Sequence, residues 1–251
     1  QREVAVTTAV VELAPGQESE ITAEFRCPGR GCFKVAMDAG TSARELAWVE
    51  DIGSFTVLPR QLADAPARPE SVFGGHMDGI SHKWHLEAGR KIGIQWARCH
   101  DMLQNGWWTR IQPGGPDEWQ WPYDPVQWDL DAMGFSTLGE LLWTPQWASS
   151  APPDAASRQA YPPADWDAYR RYVAETVEHY GGSIKHWEIW NEPHFSGFWR
   201  GTPQQYAELL KVAYTEVKRV APDSFVLGGG GVSLRSMDWI AQMLEAGAGP
   251  Y

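Results

Sequence analysis

From about residue 71 onward one unit recurs five times: a short apolar run, a loop, and an amphipathic helical stretch. The runs are SVFGGHM (71–77), KIGIQWARCH (91–100), TLGELLW (137–143), KHWEIWN (185–191) and SFVLGGGG (224–231). The helical stretches are HKWHLEAGRK, VQWDLDAMG, DWDAYRRYVAETVEHYGG, the stretch opened by TPQQY, and MDWIAQMLEAG. In the third of these, Trp166, Tyr169, Val173, Val177 and Tyr180 fall on one stripe. In the fourth, Thr202 is a natural N-cap, with Pro203 in the first turn and Gln205 three residues on, and Tyr206, Leu209, Leu210, Ala213 and Val217 form the apolar face. Strands separated by helices pair in parallel, because a helical crossover returns the chain to the same end of the sheet. Two α/β architectures follow: a doubly wound sheet or a closed (β/α)8 barrel. A dinucleotide-binding doubly wound sheet places GxGxxG after an early strand. Here the only glycine cluster, 228–231, comes late and lacks a suitably spaced acidic partner. A (β/α)8 barrel needs eight units, so either the chain is a piece of a longer protein, holding about the first five βα units of the barrel, or the barrel reading is wrong.

Residues 1–70 follow another rhythm. VAVTTAVVEL, SEITAEFRC, CFKVAMDAG and SFTVLP are short alternating runs between turn-formers, the pattern of small antiparallel strands. They predict a small β-sandwich-like domain over 1–70, joined through ADAPARPES to the barrel at 71–251. Of the three cysteines, Cys27 and Cys32 bracket the turn CPGRGC, where either a small disulfide loop or two reduced thiols is compatible with the spacing. The chain begins at Gln1 without an initiator Met or a signal peptide, the start of a chain processed, engineered or cut from something longer, and the expected location is secreted or periplasmic. A formal net charge of −11 without an offsetting basic patch argues against nucleic acid as partner. No apolar run is long enough to span a bilayer.

Parallel barrels carry their chemistry at the C-terminal ends of strands. Collecting those ends gives His76 and Asp78, Arg98, His100 and Asp101, Glu140, and Asn191 with Glu192. The stretch HWEIWNEPHFSGFW concentrates the question. A carboxylate closing an apolar run must be satisfied locally, exposed, or reactive, because an unpaired charge away from water is costly. Fifteen tryptophans are the compositional outlier. Trp107, Trp108, Trp119, Trp121 and Tyr123 follow the second strand, Trp143 and Trp147 the third, and Phe195, Phe198 and Trp199 the fourth. Flat apolar faces with a polar edge suit both cores and saccharide-binding walls. His76, Asp78, His82 and His85 match no strong metal-ligand spacing, so neither a metal nor a cofactor is expected.

WEIWNEP resembles the fourth-strand signature of the retaining glycoside hydrolases of clan A. More narrowly, the chain is similar to glycoside hydrolase family 39, which includes β-xylosidases and α-L-iduronidases. The similarity rests on WEIWNEPHFSGFW followed by TPQQY, on ARCHD and on LGELLWTPQWAS, and runs from about residue 71 to 251. The resemblance implies a TIM barrel in which Glu192 is the general acid/base and Asn191 holds the sugar 2-hydroxyl. It implies that Arg98 orients the nucleophile and that His100 and Glu140 line the sugar subsite; His76, from its strand end, and Trp147 and Trp199, from the loops, are expected as further substrate contacts. The nucleophile, a Glu ending the seventh strand in this family, would lie beyond the chain. The implied reaction is retaining hydrolysis of O-glycosidic bonds in an oligo- or polysaccharide by two carboxylates. The alternative is a non-catalytic carbohydrate-binding protein or inactive relative. The expected partners are a carbohydrate substrate, with no membrane, and the missing C-terminal half of the barrel.

Overall fold

The computed structural model describes residues 6–20, 22, 24, 26, 29–40, 45–57, 70–77, 83–100 and 103–251. The chain divides into two compact units, Gln1–Asp64 and Ala65–Tyr251.

In the first unit β1 (Gly31–Gly40) and β2 (Glu45–Val57) form one antiparallel ribbon. Phe33 faces Phe55 across it, their rings stacked at 5.3 Å. The alternating run predicted as a strand before Pro15 forms no strand over its described residues 6–13, and Val10 lies open to solvent. A sandwich needs two packed sheets, and the described residues of this unit contain a single two-stranded one. Period-two alternation marks a segment able to pair, but pairing itself is decided by a partner distant in sequence. Cys27 lies outside the described residues, and the proposed Cys27–Cys32 loop with it.

The second unit is a five-stranded parallel sheet in the order β3–β4–β5–β6–β7. Its strands are β3 (Gly74–His76), β4 (Trp96–Arg98), β5 (Ser136–Leu141), β6 (His186–Ile189) and β7 (Phe225–Gly228). The helices are α1 (Lys83–Lys91), α2 (Trp108–Ile111), α3 (Asp124–Ala132), α4 (Trp166–Tyr180), α5 (Pro203–Val220) and α6 (Met237–Met243). Sequential neighbours pair throughout, as repeated βα units require. The strands are shorter than the apolar runs. Lys91, for example, ends α1, and Gly93, at φ 91°, turns the chain before β4 begins.

Local chemistry starts the two long helices. The Asp165 side chain accepts from the backbone N–H groups of Asp167 and Ala168, capping α4. Thr202 and Gln205 form a reciprocal capping box on α5: Gln205 N–H donates to Thr202 Oγ1 at 3.2 Å, and Thr202 N–H to Gln205 Oε1 at 2.9 Å. Their apolar faces pack with Trp187 and Ile189 of β6 into the main core, where Tyr169, Tyr172, Tyr206, Leu209 and Leu210 are buried. A smaller core of Met77, Leu86, Ala97, Leu103, Leu130 and Phe135 joins α1, α3 and β4. The core therefore covers one face of the sheet. Arg98, Glu140 and Glu188 project from the other, since side chains alternate along a strand and Ala97, Leu141, Trp187 and Ile189 belong to the cores. β7 lies at one end of the sheet order, with Phe225 60% and Leu227 39% exposed.

Candidate active site

Register places the polar residues. Glu140 of β5 pairs with Glu188 of β6, and Arg98 of β4 lies beside Leu138 of β5. Arg98 is the hub. Its Nε donates to Glu188 Oε2 at 2.7 Å, and its Nη2 to Asn191 Oδ1 at 2.8 Å and Glu140 Oε1 at 3.2 Å. Its Nη1 lies 3.1 Å from His76 Nε2. One planar guanidinium thus joins residues from four strands, a task for which its fixed fork of donors is suited. Burial pulls the Arg98 pKa down, but the Glu188 hydrogen bond and the charges of Glu140 and Glu188 outweigh it and hold the group firmly cationic.

Glu140 is fully buried. Its Oε2 lies 2.7 Å from His100 Nδ1 and accepts from Trp107 Nε1 at 3.3 Å. Burial raises its pKa, and His100 and then Arg98 oppose the rise. His100 is itself buried, with the rings of Trp107 and Phe198 about it at 6.0 and 5.8 Å. Phe198 stacks on Trp143 at 5.5 Å, forming a continuous aromatic flank.

Asn191 and Glu192 follow β6 directly. Successive residues of an extended strand point to opposite faces, yet these two line the same cleft. The backbone makes that possible by turning left-handed at Trp190 (φ 67°) and again at Glu192 (φ 39°), conformations that non-glycine residues adopt only where their surroundings over-determine them. Trp190 N–H donates to Leu141 O at 3.0 Å, its indole N–H to Phe198 O at 2.8 Å, and Glu192 N–H to Gly230 O at 2.7 Å. Trp143, at the end of the neighbouring strand, is left-handed too (φ 64°). Backbone strain of this kind clusters at functional sites.

The glycine run after β7 has its reason here. A Cβ at Gly230 would stand 2.0 Å from Glu188 Oε1, and one at Gly231, where φ is 66°, would stand 2.9 Å from Glu192 Cγ. No side chain fits between this turn and the two carboxylates. The cleft has a volume of about 410 Å³ and is lined by His76, Arg98, His100, Asn191, Glu192, Phe198 and Gly231.

Five of the eight residues singled out from sequence thus line one cleft, and Glu140 is tied to two of them from beneath. Trp147 and Trp199 are placed elsewhere. Trp147 donates to Gln112 O and packs edge-on against Trp108, and Trp199 is buried against Trp190 and Tyr206 with its indole N–H on Thr202 O. Both fill the space between loops and helices, as large aromatics do when a core lies closer than a cleft. Trp108 stacks on Tyr172, and Trp121 on His179, in the same way. Asp78, His82 and Asp101 lie outside the described residues; His85 packs against Trp84 on α1. Sequence reasoning missed Glu188. Its signal was present: a carboxylate within the apolar run HWEIW must find a buried partner.

No protein-family model matches the chain. A β-xylosidase of Geobacillus stearothermophilus is 34% identical over 170 residues, covering 62% of this chain and 34% of the relative. Among solved structures, a family 39 glycoside hydrolase from the gut symbiont Bacteroides cellulosilyticus WH2 matches with a TM-score of 0.63 at 20% identity, over 87% of this chain and 43% of its own. A family 39 enzyme from Xanthomonas axonopodis pv. citri matches with a TM-score of 0.51 at 20% identity, over 69% of this chain and 37% of its own. The chain spans about a third of the xylosidase and less than half of either structure. In sequence the chain is similar to a β-xylosidase, and in fold to family 39 glycoside hydrolases.

Proposed function

We propose that this chain carries the proton-transfer half of a retaining glycoside hydrolase site, with Glu192 as acid and then base. The observation that carries the reading is the placement of Glu192 on an open cleft beside Asn191, the two turned to one side by the left-handed backbone around them. The five parallel strands would be the first five of a (β/α)8 barrel. Leaving-group departure from an acetal needs a proton on the glycosidic oxygen, and Glu192 supplies it. Asn191 binds the 2-hydroxyl, a contact that strengthens as the ring flattens toward an oxocarbenium ion. Arg98 and His100 bind the rest of the ring or orient the attacking carboxylate.

Retention needs a second carboxylate about 5–5.5 Å away. Glu140 and Glu188 are both committed to Arg98, and Glu140 to His100 as well. The nucleophile is therefore assigned to sequence outside these residues, in keeping with the short span of the xylosidase that the chain covers. The substrate is an O-linked oligo- or polysaccharide, handled outside the cytoplasm. Those same commitments favour a second reading for the chain by itself, carbohydrate binding without turnover. Hydrolysis of glycosides of graded leaving-group acidity by a Glu192→Gln variant of the full-length protein separates the two. An acid role makes the substitution most damaging for the poorest leaving groups.

A further inference from the structure

We propose that Glu188 is a positioning residue for this reaction. By holding Arg98 it fixes the Asn191 amide with its NH2 end toward the sugar 2-hydroxyl. The inference rests on the reading of Asn191 given above. Four side chains surround the planar guanidinium: Glu188 at Nε, Asn191 and Glu140 at Nη2, and His76 at Nη1. Of these partners only Glu188 sits at Nε, so its loss releases that edge of the guanidinium to turn about the contacts that remain. Arg98 has no acceptor, so the Asn191 atom facing it is the carbonyl oxygen, and the donor end of the amide is the one left for a hydroxyl. Asn191 is 5% exposed, and its orientation is therefore set by this contact rather than by solvent.

A second observation is independent of the hydrogen bonds. The turn after β7 leaves room for the Glu188 carboxylate only because residue 230 is glycine: an added carbon there would lie 2.0 Å from Oε1 and 2.5 Å from Cδ. β7 is thus shaped around a carboxylate that does not itself line the cleft. Its influence must pass through Arg98.

The test compares Glu188→Met, which keeps the length of the side chain but removes the acceptor for Arg98 Nε, with the unsubstituted full-length protein on an aryl glycoside and on its 2-deoxy counterpart. On the 2-hydroxy substrate kcat/KM falls about 10- to 100-fold, the loss expected when a charge-assisted contact is no longer aligned, and the loss sits mainly in kcat. On the 2-deoxy substrate, which offers Asn191 nothing to hold, the variant matches the unsubstituted protein. Equal losses on both substrates, or none on either, overturn the inference. Should Glu188→Met fail to fold, Gly230→Ala crowds the same carboxylate from the turn after β7 and must give the same selective loss. If the unsubstituted protein hydrolyses neither substrate, the glycosidase reading itself falls, an outcome distinct from either result above.

Discussion

Replacing Arg98 with alanine tests the electrostatic core of the site. The substitution strips the shared cation from two carboxylates whose side chains are 0% (Glu140) and 7% (Glu188) exposed. Breaking a buried pair by removing one partner costs about 3–5 kcal/mol, because the other charge stays behind without compensation. A chain of this size loses about 2–4 °C of Tm per kcal/mol, so the midpoint should fall by about 6–20 °C. The pH dependence carries a definite sign. Burial already raises the Glu140 pKa above its unfolded value, so the folded protein holds that proton more tightly than the unfolded chain does. The associated stabilisation is present in acid and lost as pH rises through the raised value. Removing Arg98 removes one of the influences opposing that rise. The deficit of Arg98→Ala should therefore be larger at about pH 8 than at about pH 5, because it shrinks as acid favours the protonated Glu140. Urea unfolding followed by tryptophan fluorescence at both pH values measures it. A deficit below about 1 kcal/mol, typical of exposed pairs, or one that grows in acid, would refute the account of Arg98 as the hub.

Two further substitutions probe what holds the site in place. Gly231→Ala puts a side chain at φ 66° and 2.9 Å from Glu192 Cγ, so it should cost about 1–2 kcal/mol in unfolding experiments and also depress hydrolysis. Gly229, also left-handed but with only Val232 nearby at 3.6 Å, is the control: alanine there should cost stability while leaving Glu192 unmoved. Tyr206→Phe removes a hydroxyl that donates to Ile189 O at 2.6 Å and accepts from Gly229 N–H at 2.7 Å, tying α5 to the ends of β6 and β7. Its loss should lower stability by about 1–3 kcal/mol, and amide exchange at Gly229 should accelerate.

The parts of this structure that were legible in the sequence are those decided locally or by period. The change from alternating runs to βα units at about residue 71 foretold the parallel sheet, and Thr202-Pro203-Gln204-Gln205 foretold a capping box that is present. Asn191 and Glu192 stood out because a carboxylate ends an apolar strand there. What was illegible depends on register and on partners distant in sequence. Glu188 becomes a site residue only once β4 and β6 bring Arg98 to it across 90 positions. The tryptophans of the loops could not be sorted by composition. Trp147 and Trp199 took core positions, whereas the flank of the cleft went to Phe198, with Trp143 stacked behind it. The described residues of the first unit contain one two-stranded ribbon, and alternation there marks segments able to pair without specifying their partners. Nor does the glycine run 228–231 announce by itself that Gly230 and Gly231 closely approach the side chains of Glu188 and Glu192.

Leaving-group dependence in Glu192→Gln addresses the central assignment most directly. Proton transfer contributes about 10²–10⁴ in rate where the leaving group is poor. A sugar-linked substrate should therefore lose about that factor, while an aryl glycoside whose phenol departs without protonation should keep most of its bond-cleavage rate. Equal losses on both substrates would mean that the carboxylate at this cleft does not donate the proton.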